Sequence, residues 1–243
     1  MKIESINNNK VKDWIKLKEK KYRDLNNKFI IEGDHLLKEA LKKGLVLEII
    51  SINNNWQVDD IPFYEVNEPI IKKISSQVSA SEVIAICKKQ ESRKVAGKIC
   101  ILDDIQDPGN LGTIIRSAVA FNIDTIIMSS NTVDLYNDKT IRASEGMLFH
   151  INVIKRNLCE FIDELKNKNY LVIGTNVENG TNIKNINTKE NIALVLGNEA
   201  SGVKKEIQEK CHQNVYIKTT DKCESLNVGV AASILMYEIS NKE

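Results

Sequence analysis

The chain has 243 residues with 34 Lys and Arg against 33 Asp and Glu, a net charge of +1, and 42% apolar residues. That length allows one large domain or two small ones around a substantial core, and so even a charge balance speaks against a nucleic-acid partner until the charges are mapped along the chain. No stretch is long or apolar enough to span a bilayer and Met1-Lys-Ile-Glu-Ser5 is no signal peptide, so a cytoplasmic location is expected. Five cysteines (Cys87, Cys100, Cys159, Cys211 and Cys223) are odd in number, contain no CxxC pair and read as reduced thiols. The adjacent Cys211-His212 pair lacks further spaced ligands, and no metal is expected.

Mapping the charge changes the picture, because residues 1–28 hold nine Lys and Arg against four Asp and Glu, a local excess of +5. Phosphate neutralisation needs a local patch rather than a global excess. In the same region Val11, Trp14, Ile15 and Leu17 fit one apolar helix stripe. Phe29 to Ile31 then reads as a strand, Asp34 to Lys43 as a helix, and Leu45 to Ile52 as a strand. After the loop Asn53-Asn-Asn55 come a strand at Phe63 to Val66, a helix from Glu68 to Ser75 and a strand at Val83 to Cys87. This is an α/β module. Lys88 to Lys98, polar and basic with Gly97, is the linker, and it sets the expected domains at residues 1–92 and 97–243.

The second part begins with a βαβ unit: strand Ile99-Cys-Ile-Leu102, a polar turn from Asp103 to Gly112, a helix carrying Ile114, Ile115, Ala118 and Val119 at helical spacing, and strand Thr125-Ile-Ile-Met128. Its turn, Asp107-Pro-Gly-Asn-Leu-Gly112, delivers Asn110 at the mouth of the helix and places Arg116 near its start. Ile192-Ala-Leu-Val-Leu196 reads as a buried parallel strand running into Gly197-Asn-Glu-Ala-Ser-Gly202, whose glycines allow positive φ and close approach of backbone to a ligand. Near the end, Asp221 to Leu235 joins a polar cluster to a helix with Gly229, Ala231, Ala232 and Ser233 on a thin face. Ser225 is the expected N-cap and Asn227 falls in the first turn, where free N–H groups can hold a ligand. Leu196-Gly197, Ile217 after Val215-Tyr216, and Leu226 all stand beyond the carboxyl ends of strands or at a helix start, where α/β sheets bind ligands.

Three of these segments, Asn110-Leu-Gly-Thr-Ile-Ile-Arg116, Leu196-Gly-Asn-Glu-Ala-Ser-Gly202, and Ile217 followed by Glu224-Ser-Leu-Asn-Val228, resemble in order and spacing the motifs of the SpoU–TrmH family of RNA ribose 2′-O-methyltransferases, within the SPOUT class. The resemblance covers roughly residues 97–243. It implies an α/β fold with a SPOUT-type parallel sheet and a C-terminal deep trefoil knot, a rare exception to the rule that chains do not knot. The first part, through Lys10-Val-Lys12, Lys20-Lys-Tyr-Arg23 and Phe29-Ile-Ile-Glu-Gly33, resembles the smaller N-terminal α/β domain, similar to ribosomal protein L30e, that binds substrate in many relatives. Ser81-Glu82 stands where that domain often has Gln-Gly. Arg142-Ala-Ser-Glu-Gly-Met-Leu-Phe149 is also similar to a family segment, with Glu145 in place of a small residue, and Lys218 replaces a usual proline.

The resemblance further implies S-adenosyl-L-methionine as cofactor, held by main-chain groups at Gly197, Ile217 and Leu226 with Thr175 and Leu196 lining the pocket. It assigns the catalytic side to Asn110, Arg116, Glu199, Ser225 and Asn227, and RNA contacts to Lys10, Lys12, Lys20, Arg23 and Arg142. An arginine is a poor base because its pKa exceeds about 12, so Arg116 reads as a clamp on the neighbouring RNA phosphate that acidifies the 2′-hydroxyl. A phosphate oxygen or water then takes the proton. Relatives are homodimers in which the arginine of one subunit works beside the cofactor of the other, and the helix from Ser225 to Ser240 offers Ile234, Leu235, Tyr237 and Ile239 as contact surface or core. The expected substrate is large-subunit (23S) ribosomal RNA, with transfer RNA and a non-catalytic RNA-binding knot protein as alternatives.

Overall fold

The computed structural model describes residues 1–176, 180–186, 191–223 and 225–241; Glu224 of the third motif lies outside them. By contacts the chain forms two units, one of Met1–Glu91 with Tyr136–Phe149, the other of Ser92–Leu135 with His150–Glu243. The single cut expected between residues 92 and 97 therefore separates the two sheets, while the later segment around Arg142 joins the first unit.

The first unit contains β1 (Lys2–Ile3), α1 (Asn9–Lys16), α2 (Lys20–Asn26), β2 (Lys28–Glu32), α3 (Asp34–Lys42), β3 (Val46–Ser51), β4 (Phe63–Val66), α4 (Glu68–Ile74) and β5 (Val83–Lys88); from β2 on they follow the sequence reading closely, and the short β1 is an addition to it. The sheet order is β1-β4-β3-β5-β2, with β5 antiparallel to both its neighbours and the remaining pairs parallel. β2 alternates, burying Phe29 and Ile31, whereas β5, paired on both sides, is apolar throughout from Val83 to Cys87. The expected stripe holds at Val11, Trp14 and Leu17, which pack with Ile50, Tyr64 and Ile70. Its helix stops at Lys16, and Leu17 is the C-cap.

The second unit contains β6 (Ile99–Leu102), α5 (Pro108–Ala120) and β7 (Thr125–Met128). A short helix α6 (Asp138–Ala143) belongs to the first unit. Then come β8 (Asn152–Lys155), α7 (Leu158–Asn167), β9 (Leu171–Thr175), β10 (Thr181–Asn182), β11 (Ile192–Leu196), α8 (Lys205–Gln208), β12 (Gln213–Tyr216) and α9 (Val228–Ser240). The sheet order is β10-β12-β9-β11-β6-β7-β8 and each pairing is parallel. The runs read as buried strands, Ile99–Leu102, Thr125–Met128 and Ile192–Leu196, are buried at every residue. On one face Ile99, Ile101, Ala193 and Val195 pack against Leu158, Phe161, Ile162 and Leu165 of α7 and Ile207 of α8.

The order of formation along the chain matters for the site. β6, β7 and β8 step outward in one direction; the chain then crosses over to β9, and β11 enters between β9 and β6. This reversal brings the carboxyl ends of β6, β9, β11 and β12 to one edge of the sheet, the switch point where open α/β sheets hold ligands. α5 and α9 pack together, and the thin face of α9 explains how: a Cβ on Gly229 would lie 3.1 Å from the Thr113 methyl, and Ser233 Oγ meets Ser117 Oγ at 2.7 Å.

Candidate active site

At that edge lies a cavity of about 620 Å³ between the ends of β9, β11 and β12 and the start of α9. Thr175, Leu196, Gly197, Glu199, Ile217, Ser225, Leu226 and Asn227, eight of the ten residues expected to act on donor or acceptor, line it. Val203, Val215, Ala231 and Leu235 add apolar wall. Asn110 and Arg116 are not part of this lining.

Asn110 reaches the cavity through hydrogen bonds whose direction is fixed from one end. Asn227 Oδ1 accepts the free N–H groups of Gly229 and Val230 at 2.9 and 3.3 Å, so its amide nitrogen must be what faces Asn110. Asn227 Nδ2 donates to Asn110 Oδ1 at 2.9 Å, which in turn directs Asn110 Nδ2 to Glu199 Oε1 at 3.0 Å. Glu199 also accepts from the backbone N–H groups of Asp107 (3.0 Å) and Gln106 (3.1 Å) at the entry to α5. Burial opposes the charge on Glu199, but the Asn110 amide and these backbone donors outweigh it and hold its pKa below the usual carboxylate value. An ionised carboxylate saturated with donors is no proton acceptor; Glu199 locks the β11 loop onto the mouth of α5 and orients Asn110.

The N-cap of α9 is thus Asn227, not the expected Ser225, and the helix starts three residues later than read. Both residue types cap well; Asn227 takes the position because its side-chain amide, beyond the capping oxygen, has a donor with a partner in Asn110. Ser225 remains exposed on the cavity lining. Replacing Asn227 by Ser should separate the two roles. Serine keeps the cap, whose removal by alanine costs about 1 kcal/mol, but lacks the donor to Asn110. Asn227→Ser should unfold within about 2 °C of the unaltered protein while turnover falls about 10- to 100-fold, the scale of a small misplacement in an active site. Equal turnover would reduce Asn227 to a cap.

Gly197 departs from the sequence argument. Glycine was expected there for a ligand's sake, yet a Cβ on Gly197 would stand 2.1 Å from the carbonyl carbon of Gly202 and from the Val203 nitrogen. It is the loop's own return strand that excludes a side chain, and Gly202 is the residue with positive φ, +67°. Asn198 and Gly202 close the loop with mutual backbone bonds of 3.0 and 2.9 Å. Thr175 Oγ1 donates to the Val195 carbonyl at 3.1 Å, tying β9 to β11 beside the cavity.

Arg116 lies on the exposed surface of α5, six residues beyond Asn110, or about 9 Å along the axis. Its guanidinium has no hydrogen bond or ion pair among the described residues, which leaves it open to an anion. The candidate RNA residues fall in the first unit and differ among themselves. Lys10 is paired with Glu48 at 3.0 Å and lies 4.4 Å over the Tyr64 ring, Lys20 is paired with Asp24, and Arg142 with Asp138 at 2.8 Å. Lys12 is exposed with no partner among the described residues. Arg23 is 6% exposed and its guanidinium donates to the carbonyls of Leu17 and Lys18 at 3.0 and 2.6 Å, closing the end of the α1 segment. Asn198, Asp104 and Lys204, which hold the cavity's loop, were given no role by the sequence; Asn198 lies within the second motif, Lys204 just beyond it and Asp104 in the loop of the first.

A parallel α/β sheet with a reversal of strand order, a cavity at the carboxyl edge and three ordered motifs around it defines the α/β methyltransferase class to which the sequence points. The chain belongs to the SpoU rRNA Methylase family, whose model matches residues 97–237. A model for the MRM3-like substrate binding domain matches residues 8–85. The chain is 41% identical, over 98% of its own length and 98% of the relative's, to 23S rRNA (guanosine(2553)-2′-O)-methyltransferase RlmP of Bacillus subtilis (strain 168). It superposes on the crystal structure of an AdoMet-bound rRNA methyltransferase from Sinorhizobium meliloti with a TM-score of 0.89 at 27% identity, over 99% of this chain and 97% of that one. A crystal structure of an RNA 2′-O ribose methyltransferase gives 0.85 at 27% identity, over 100% and 99%. Membership implies the C-terminal knot. Among the described residues no helix is long and apolar enough to cross a membrane, and no group of three or more His, Cys, Asp or Glu is placed to hold a metal.

Proposed function

We propose that this protein transfers the methyl group of S-adenosylmethionine to a ribose 2′-hydroxyl of 23S ribosomal RNA, with the guanosine named for the Bacillus relative as the first site to test. The observation that carries the reading is the directed chain Asn227, Asn110, Glu199 at the edge of the cavity. The cavity suits the cofactor: Leu196, Val203, Leu226 and Leu235 provide apolar walls for a base, while the main chain of 197–202 and 216–219 offers polar groups for the amino-acid portion. Gly197, Ile217 and Leu226 would hold it through their backbones, beside Thr175 and Leu196. When bound, the cofactor supplies a methyl group on a positively charged sulfonium.

The chain's own residues then position the acceptor. Arg116, exposed and unpaired among the described residues, clamps an RNA phosphate and acidifies the adjacent hydroxyl, while Asn110 and Ser225 fix the ribose; positioning of this kind carries much of the rate. Since Arg116 is not in the lining of its own cavity, a second copy supplies it, and the protein is a homodimer. The open apolar stripe of Val230 (47% exposed), Ile234 and Tyr237 (52% exposed) on α9 is the subunit surface. Residues 1–92 hold the RNA substrate and residues 97–243 perform the transfer, in the cytoplasm, where ribosomes assemble.

The test is to incubate the protein with labelled donor and transcribed 23S RNA, then digest to nucleosides for mass spectrometry. One 2′-O-methylguanosine is expected. Label in a base, label in transfer RNA alone, or no label would each overturn the assignment. Replacing Lys12 by Ala should weaken RNA binding alike for all sequences and flatten the slope of log affinity against log salt by about 0.9 or less, the value for one lost phosphate contact. An unchanged slope would mean that Lys12 stays in solvent.

A further inference from the structure

The loop that walls the cavity, residues 197–203, is without regular ladder pairing apart from the Asn198–Gly202 bridge, so something else must set its position. Behind it, away from the cavity, stands Asp104. Its backbone is left-handed, φ +56°, a conformation costing a non-glycine residue about 1 kcal/mol and retained where surroundings enforce it. The Asp104 carbonyl accepts from Asn198 Nδ2 at 2.8 Å and from Gln106 Nε2 at 3.1 Å. Its carboxylate accepts from Ser129 Oγ at 2.6 Å, from Lys204 Nζ at 2.7 Å and from Asn131 Nδ2 at 3.3 Å. One residue thereby joins the loops that follow β6, β7 and β11.

Lys204 closes the other end of the cavity loop. Its backbone N–H donates to Asp103 Oδ2 at 2.9 Å, and its ammonium lies 3.2 Å from Asp103 Oδ1 in addition to Asp104. Asp103, 1% exposed, is itself anchored by its N–H to the Leu196 carbonyl at 2.9 Å. The loop is thus held at Asn198, near its start, and at Lys204, just past its end, on the same neighbouring segment. Glu199 reaches the far end of that segment from the middle of the loop. Neither Asp104 nor Lys204 lines the cavity; both line a separate groove with Ser129, Asn131 and Lys155. Burial opposes the charge of Asp104, but Lys204, Ser129 and Asn131 outweigh it and lower its pKa, so the pair is ionised.

We propose that Asp104 and Lys204 form a positioning pair that presents the 197–203 backbone to the methyl donor, setting donor affinity without touching it. The inference rests on the S-adenosylmethionine reading of the cavity. Because the pair holds a loop whose residues 197–203 line the cavity, loosening it lowers affinity without changing the identity of any lining residue. Asparagine tolerates the left-handed backbone, so Asp104→Asn keeps the turn but removes the negative charge facing Lys204 and puts an N–H₂ in place of one of the two accepting oxygens.

The experiment is isothermal titration of S-adenosylmethionine, and separately of its demethylated product, into the full chain and its variants, with thermal unfolding followed in parallel. Asp104→Asn and Lys204→Met should each weaken binding about tenfold, the double variant should be no weaker than the worse single, and Lys204→Arg should recover to within about threefold, as expected for coupled partners. The unfolding midpoints without ligand should agree within about 3 °C. Singles that bind within about twofold of the unaltered protein, or losses that multiply in the double variant, would overturn the pair as a unit. If Asp104→Asn does not fold, the Lys204 variants, altered at a side chain 43% exposed, decide the question. Absence of donor binding by the unaltered protein would overturn the cavity reading itself.

Discussion

Arg116→Ala lowers turnover on RNA about 100- to 1000-fold, the loss typical of removing one charge-stabilising donor from an active site, while S-adenosylmethionine binding is unchanged. The separation follows from the role given to Arg116: exposed on α5 and absent from the cavity lining, it holds an RNA phosphate and not the donor. Ala231 supplies the complementary fault. It lies on the cavity side of α9 with Val228 and Leu235, and Ala231→Phe fills donor space without touching α5's exposed face. Each variant alone is inactive. Mixed and allowed to exchange subunits, they should recover about one quarter of full activity, because heterodimers carry one site with an intact Arg116 facing an intact cavity. Heterodimers shown to form without regaining activity would place Arg116 within its own chain's site. Near-normal turnover by Arg116→Ala would remove the clamp altogether.

Gly197→Ala abolishes donor binding and lowers the unfolding midpoint, by about 8 °C or more if the overlap is relieved only by opening the loop, since even a few kcal/mol moves a domain of this size by that much. The added carbon would lie 2.1 Å from backbone atoms of Gly202 and Val203, and main chain, unlike the end of a side chain, has no rotamer by which to withdraw. Gly197 variants are therefore poor tools for removing the cofactor alone. Gly202→Ala is the control: no atom lies within 4 Å of its added carbon, so only the left-handed φ is penalised, at about 1–2 kcal/mol. Comparable midpoints for the two variants would show that the loop adapts and that the close approach is unimportant.

Much of the fold was legible because parallel strands buried on both faces leave uninterrupted apolar runs. Ile99–Leu102, Thr125–Met128 and Ile192–Leu196 begin and end where the runs do. The site residues were legible as motifs at the ends of those strands, and the cavity gathers eight of them. What was not legible was what depended on how the chain folds back on itself. Arg23 looks like any exposed basic residue until the carbonyls of Leu17 and Lys18, six and five residues earlier, turn toward it. The segment 136–149 lies within the second half of the chain yet packs with the first unit, burying Phe149 beside Phe29.

The choice of N-cap shows where the boundary falls. Composition alone established that a capped helix with a thin face begins near residues 225–228, because capping preference and side-chain size are properties of single residues and their neighbours. That Asn227 rather than Ser225 takes the cap was decided by Asn110, 117 positions earlier in the chain. The same holds for Gly197, constrained by its own loop's return, and for Asp104 and Lys204, which are ordinary charged residues until three loops converge on them. Local preference is written into short stretches of sequence; the partners of a hydrogen-bonding group are known only once the chain has brought them within about 3 Å.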